Sequence, residues 1–135
     1  MGNQSKPQIV CLCASTRFMD MFEEANRQLT LAGYIVLTVG VGKTSSGKEL
    51  PPEVSARLDE LHKRKIDLAD WVFVLNVNGY IGPSTKSEIE YARKHKKRIA
   101  YLNPVSHPFD SVCPPEPPID SSIGIMQRIG EMQAT

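Results

Sequence analysis

A carboxylate lies close behind a threonine in the segment Thr85-Lys86-Ser87-Glu88, where a helix is predicted to begin. This spacing is typical of a capping box, in which Glu88 would accept a hydrogen bond from the backbone N–H of the cap residue Thr85. The same carboxylate would lie in the first helical turn at the carboxyl end of a strand. There it could attack an anomeric carbon or stabilise an oxocarbenium ion while the leaving base is protonated. The spacing alone leaves both interpretations open.

Hydroxyl and guanidinium groups follow the first predicted strand in the turn Ala14-Ser15-Thr16-Arg17. Backbone N–H groups and hydroxyls at a helix N-terminus bind anions, and the planar fork of Arg17 adds a charge that suits a phosphate. The alternative is that Ser15 or Thr16 only caps the helix. The turn therefore predicts an anion site that includes Ser15 and Arg17.

The glycine-rich segment 40–52 resembles a phosphate-binding loop without matching it. Gly42, Gly47 and Lys48 have the required spacing, but Glu49 stands where a serine or threonine would bind magnesium. The segment also runs into two prolines instead of opening a helix. We therefore expect a loop near the site, and no nucleoside triphosphatase.

Two further polar residues and one basic run could have either a functional or a purely structural role: Asp70, His62 and residues 93–98. Asp70 precedes a buried strand and is a candidate supporting carboxylate, although an aspartate there often only turns the chain. His62 is expected to be a solvated helix residue. The basic run 93–98 is expected to be a solvated helix end at the opposite end of the sheet from the site, so no nucleic-acid partner is predicted.

The cysteines are odd in number, and Cys11 and Cys13 lie in an apolar run while Cys113 stands apart. We expect buried free thiols in a reducing compartment and no disulfide framework. Cys11 and Cys13 are expected to point to opposite faces of their strand. For that reason no metal site is predicted among the cysteines and histidines.

Four apolar runs, separated by helical patterns, supply the elements that must position these groups. The runs are nearly continuous, as in strands buried on both faces of a parallel sheet. Helices are predicted from about Phe18 to Gly33, from Pro51-Pro52 to about Leu68, and over 85–96. The alternation predicts an α/β fold: a single-domain, doubly wound (Rossmann/flavodoxin-like), mostly parallel sheet of four to five strands with flanking helices. The predicted strands are 8–14, 34–39, 71–77 and 98–102.

The length of 135 residues suits one domain, here 1–135 with its core in 8–102. A proline-rich connection is predicted over 103–118, followed by a helix over 119–133 that packs on the sheet or on a neighbouring subunit. The formal net charge of +1 gives no general attraction to nucleic acid. No apolar run approaches the roughly 20 residues of a membrane span, and no signal peptide is evident, so a cytoplasmic location is expected.

Over about residues 8–102, the chain resembles the nucleoside 2-deoxyribosyltransferase superfamily. The resemblance rests on Ala69-Asp70 before a strand, on a glycine-containing loop, and on the segment TKSEIEYA over 85–92. A basic helix end followed by another strand, over residues 95–100, completes it. It implies cleavage or exchange at the N-glycosidic bond of a nucleoside or nucleoside 5′-monophosphate. It places the nucleophile on Glu88 and the sugar contacts on Gly82, Ser84 and Thr85.

The chain also departs from the family pattern. The loop 80–85 has no aspartate, and the family's second-helix aspartate falls by spacing near His62, with Asp59 and Asp67 as neighbours. A hydrolase, a transferase and a non-catalytic nucleotide-binding module therefore all stay open. In each case the resemblance implies a small-molecule ligand, no cofactor, and a homo-oligomer that completes the site.

Overall fold

The computed structural model describes residues 6–15, 18–38, 50–103 and 121–134. Predictions for Arg17, for most of the glycine-rich segment, for the proline-rich connection and for Cys113 lie outside these residues. The strands are Ile9–Cys13 (β1), Ile35–Leu37 (β2), Trp71–Val74 (β3) and Arg98–Tyr101 (β4). The helices are Met19–Leu31 (α1), Pro52–Leu68 (α2), Pro83–Lys94 (α3) and Ser121–Ala134 (α4).

The four strands form one all-parallel sheet in the order β2-β1-β3-β4, which confirms the predicted α/β doubly wound class. The central strands β1 and β3 are almost wholly buried, while the edge strands β2 and β4 are partly exposed. This is why the runs around β1 and β3 are continuously apolar: helices cover both of their faces.

Alternate residues of β1 contribute to two separate cores. Val10 and Leu12 join the core formed with α1 and α4, where Phe22, Leu29 and Ile125 are buried. Cys11 and Cys13 join the core on the other face, which α2 and α3 cover. Helix α4 thus packs within the same chain, one of the two positions predicted for it.

Helix ends follow local chemistry. Helix α1 is followed by Gly33 at φ 99°, a left-handed conformation that favours glycine. Helix α3 begins at Pro83, two residues before the predicted start, because proline suits the first helical position. Its N-cap is Gly82 and no side chain of the described residues bonds the cap, so of the two interpretations of Thr85 and Glu88 the capping box is excluded.

None of the helices in the described ranges is long and apolar enough to cross a membrane.

Candidate functional site

A cleft of about 230 Å³ lies at the carboxyl edge of β1 and β3. The chain leaves β1 toward β2 on one side and returns to β3 on the other, so this is the switch point where open α/β sheets bind ligands. Helices α2 and α3 and the turn after β1 supply most of its wall. The lining residues are Ala14, Ser15, Leu50, Ser55, Leu58, Asp59, His62, Tyr80, Gly82, Pro83, Ser84, Thr85 and Glu88.

Paired amides hold the loop that leads from β3 to the cleft. The side chain of Asn76, fully buried, donates to the backbone oxygen of Asn103 at 2.7 Å and accepts from its backbone nitrogen at 2.9 Å. The side chain of Asn103 donates in return to the backbone oxygen of Asn76. Beyond Asn76, Asn78 and Gly79 both adopt positive φ and turn the chain toward α3. The loop is therefore fixed at its base by the end of β4.

Glu88 is buried in the cleft wall, with only 8% of its surface exposed. Because α3 starts at Pro83, Glu88 is the sixth helical residue and its side chain is free of any capping role. Its Oε1 lies 3.6 Å from Nε2 of His62 and has no hydrogen-bond partner among the described residues. Burial raises the pKa of Glu88 from 4.5 to about 7, against the opposing charge of His62. The carboxyl group can therefore exchange a proton near neutral pH.

His62 is buried, with 5% exposed, so the prediction of a solvated helix residue is wrong. Its Nε2 lies 3.3 Å from Sγ of Cys13 and 3.6 Å from Sγ of Cys11. Burial lowers the pKa of His62, but the hydrogen bond and charge of Cys11, together with the charge of Glu88, outweigh it and raise the pKa overall. The signal was present in the sequence, because His62 stands four residues before the buried Ile66 on the inner face of α2.

The two strand cysteines share one face, so the expectation of opposite faces is wrong. Side chains alternate along a strand, which puts residues two apart on the same side. Both thiols are free, buried, and directed at His62. The chain therefore places an imidazole and a carboxylate in the wall of the cleft, with two thiols directly behind the imidazole.

Four of the predicted sugar and phosphate contacts lie within the described residues, and all four are at the cleft; Arg17 lies outside the described residues. Ser15, Gly82, Ser84 and Thr85 all line the cleft. Thr85 is buried and Ser84 is exposed. The backbone oxygen of Ser15 accepts from Phe18, which is the N-cap of α1, and no side chain closes that cap.

Asp70 lies at the other end of the sheet. Its carboxylate accepts a hydrogen bond from the backbone nitrogen of Ile9 at 2.8 Å, and its own backbone nitrogen donates to Ile9. It stands before β3, whereas the cleft lies beyond the strand's carboxyl end. The structure therefore places Asp70, predicted as a supporting carboxylate, away from the cleft, where it joins the start of β1 to the start of β3.

Asp59 is the second carboxylate of the cleft. It lines the wall on α2, one turn from His62, and its charge contributes to the raised pKa of Glu88. Asp67 instead accepts from the hydroxyl of Tyr91 and pairs with Arg64 on the outer surface. Of the three positions near the family's second-helix aspartate, Asp59 and His62 thus reach the cleft.

The basic run 93–98 is exposed or half-exposed at the end of α3 and the start of β4, opposite the cleft. Local contacts occupy part of it, since Lys97 donates to the backbone oxygen of Asp67 and Arg98 lies over the ring of Trp71. These contacts agree with a solvated helix end.

In comparisons with known proteins, no protein-family model and no curated protein matches the chain. What the site can do must therefore be argued from its own geometry.

Proposed function

We propose that this chain is a small N-glycosidase or deoxyribosyltransferase-like enzyme acting on a nucleoside or nucleoside 5′-monophosphate. The observation that carries the proposal is the Glu88 carboxyl group, buried in the wall of a cleft at the switch point of the sheet. The resemblance of segment 85–92 to the nucleoside 2-deoxyribosyltransferase superfamily supports the same role for Glu88.

The reaction needs a nucleophile and a proton for the leaving base. An ionised Glu88 oxygen bonds to the anomeric carbon as the bond from that carbon to the base nitrogen breaks, and the electron pair leaves with the base. The leaving base takes up a proton from solvent, relayed by Asp59, the other carboxyl group of the cleft. Water, or a second base in a transfer reaction, then bonds to the anomeric carbon as the bond to Glu88 breaks, and its proton returns to solvent by the same relay.

The cleft limits the size of the substrate. Its volume of about 230 Å³ falls below the range of about 300–1,000 Å³ typical of pockets for drug-sized ligands. A nucleoside with at most a small phosphate group suits this space better than a dinucleotide. Ser84 and Thr85 would bind the sugar hydroxyls, and the turn that carries Ser15 and Arg17 would bind a phosphate.

A homo-oligomer in a reducing, cytoplasmic setting is part of the proposal. Leu31 on α1 and Met126 on α4 are 75% and 62% exposed and line one shallow apolar groove, which suits contact with a second copy. The free thiols of Cys11 and Cys13 suit a compartment that keeps cysteines reduced.

One screen tests the proposal against its alternatives. The wild-type chain is incubated with a panel of nucleosides and nucleotides, and both thermal unfolding and release of free base are followed. We expect at least one panel member to be cleaved. A rise in unfolding temperature without release of base would favour the non-catalytic nucleotide-binding module. The absence of both signals would contradict any nucleotide function.

A further inference from the structure

Three potential metal ligands converge behind the cleft wall. Cys11 and Cys13 point from β1 to the same point on α2, and the donor atoms of Cys11, Cys13 and His62 all lie within 4.8 Å of one another. The two cysteines lie on a central strand and the histidine lies within a long helix, so regular secondary structure holds all three ligands in place. All three side chains are buried.

Hydrogen bonds among the described residues leave two buried atoms of this cluster without a partner, Oε1 of Glu88 and Nδ1 of His62. Nε2 of an imidazole has either one N–H or one lone pair, and so it serves one partner at a time. Around Nε2 of His62, however, lie Cys13 Sγ at 3.3 Å, Cys11 Sγ at 3.6 Å and Glu88 Oε1 at 3.6 Å. Three polar atoms thus compete for one position, and Glu88 Oε1 finds no hydrogen-bond partner among the described residues.

The three contacts of His62 Nε2 have lengths near those expected between two ligands of one cation. With Zn–S bonds of about 2.3 Å and Zn–N bonds of about 2.0 Å, sulfur and nitrogen ligands lie about 3.6 Å apart. A nitrogen and a carboxylate oxygen on the same ion lie about 3.4 Å apart. Around His62 Nε2, Cys11 Sγ lies at the expected 3.6 Å, Glu88 Oε1 lies slightly farther than expected at 3.6 Å, and Cys13 Sγ lies slightly nearer at 3.3 Å.

The donor chemistry and the charge select the cation. Two thiolates and an imidazole favour zinc and similar borderline-soft ions over magnesium or calcium. Two thiolates and a divalent ion sum to zero charge, which suits a buried position. Because His62 and Glu88 line the cleft, an ion also has a path from solvent.

We propose that Cys11, Cys13 and His62 bind one zinc-like divalent cation, whose fourth coordination position faces Glu88. The proposal does not depend on the glycosidase function. It replaces the expectation of no metal, which followed from assigning the two thiols to opposite faces.

Cobalt(II) is the direct probe, because thiolate ligands give it a near-ultraviolet charge-transfer band and tetrahedral coordination gives strong visible bands. The reduced full-length chain, stripped with a chelator and freed of it, is titrated with Co²⁺ and then with Zn²⁺. We expect one Co²⁺ per chain with both spectral features, and loss of both when Zn²⁺ displaces it.

Matched variants locate the ligands. Cys13→Ser and His62→Gln are expected to weaken Co²⁺ binding by more than about 100-fold, beyond the 10–100-fold effect of outer-shell partners. His95→Ala removes an exposed histidine that lies outside the cluster and is expected to bind Co²⁺ as wild type does. Circular dichroism checks that each variant is folded.

The wild-type titration alone can overturn the proposal, whatever the variants' stability. Absence of the thiolate band at saturating Co²⁺ would do so. Loss of Co²⁺ binding in His95→Ala as complete as in His62→Gln would place the site elsewhere and equally contradict it.

Discussion

Replacement of Glu88 by glutamine is expected to stabilise the folded chain at neutral and alkaline pH. The buried carboxyl group has a pKa of about 7 against an ordinary value of 4.5. It therefore binds its proton more tightly in the folded than in the unfolded chain. Its favourable contribution is complete below pH 4.5 and is lost as pH rises through about 7.

The size of this effect follows from the two pKa values. One pKa unit corresponds to about 1.4 kcal/mol, so ionising Glu88 in the folded chain costs about 3 kcal/mol of the free energy of unfolding above pH 7. The amide of Glu88→Gln has a similar shape and does not titrate. The difference in stability between variant and wild type should therefore grow by about 3 kcal/mol from pH 4.5 to pH 8.

Urea unfolding at a series of pH values, with a chelator present to keep the thiol cluster metal-free, measures this difference. Glu90→Gln is the matched control, because Glu90 is exposed on the same helix. A stability difference for Glu88→Gln that stays flat with pH, or that Glu90→Gln reproduces, would refute the reasoning that burial destabilises the ionised carboxylate.

The other predictions concern the helix pair, the loop, the groove and the metal. The pKa of Glu24 is lowered to about 2 by hydrogen bonds from Arg27, Gln28 and Ser122. Glu24→Gln should therefore weaken the fold above pH 4.5 and have a vanishing effect as pH falls toward 2. An effect independent of pH in urea unfolding would argue against this. Asn76→Ala leaves half-buried backbone groups of Asn103 unpaired and should cost about 1 kcal/mol in the same assay, whereas an unchanged midpoint would contradict the pairing. Leu31→Glu should lower the mass measured by light scattering, and a monomeric wild type would remove the proposed oligomer. Zinc should slow base release, and a chelator should restore it, because the bound ion attracts the Glu88 carboxylate; equal rates with and without zinc would contradict this coupling.

The sheet and most helix positions were predictable because they depend on apolar period and length. Continuous apolar runs identified β1 and β3, and Pro51-Pro52 and Gly33 marked helix ends through backbone chemistry that acts locally. Helix α3 starts two residues before the predicted position. Proline at Pro83 suits the first helical turn, whereas the capping-box spacing points to a start at Thr85.

The site was predictable only in part. Glu88 and the rim residues Ser15, Gly82, Ser84 and Thr85 follow the carboxyl ends of strands, and parallel topology brings such positions together. Asp70 precedes its strand and so belongs to the opposite edge. The contact of His62 with the two thiols depends on how α2 crosses β1, which a single sequence does not specify, although the shared face of Cys11 and Cys13 follows from strand geometry alone.

The most direct test of the central claim is the rate at which free base is released by Glu88→Gln relative to wild type and to Glu90→Gln. The account predicts a fall of more than about 100-fold for Glu88→Gln, the scale on which catalytic groups act, and an unchanged rate for Glu90→Gln. Equal release by Glu88→Gln and wild type, with both chains folded, would contradict the assignment of Glu88 as the nucleophile.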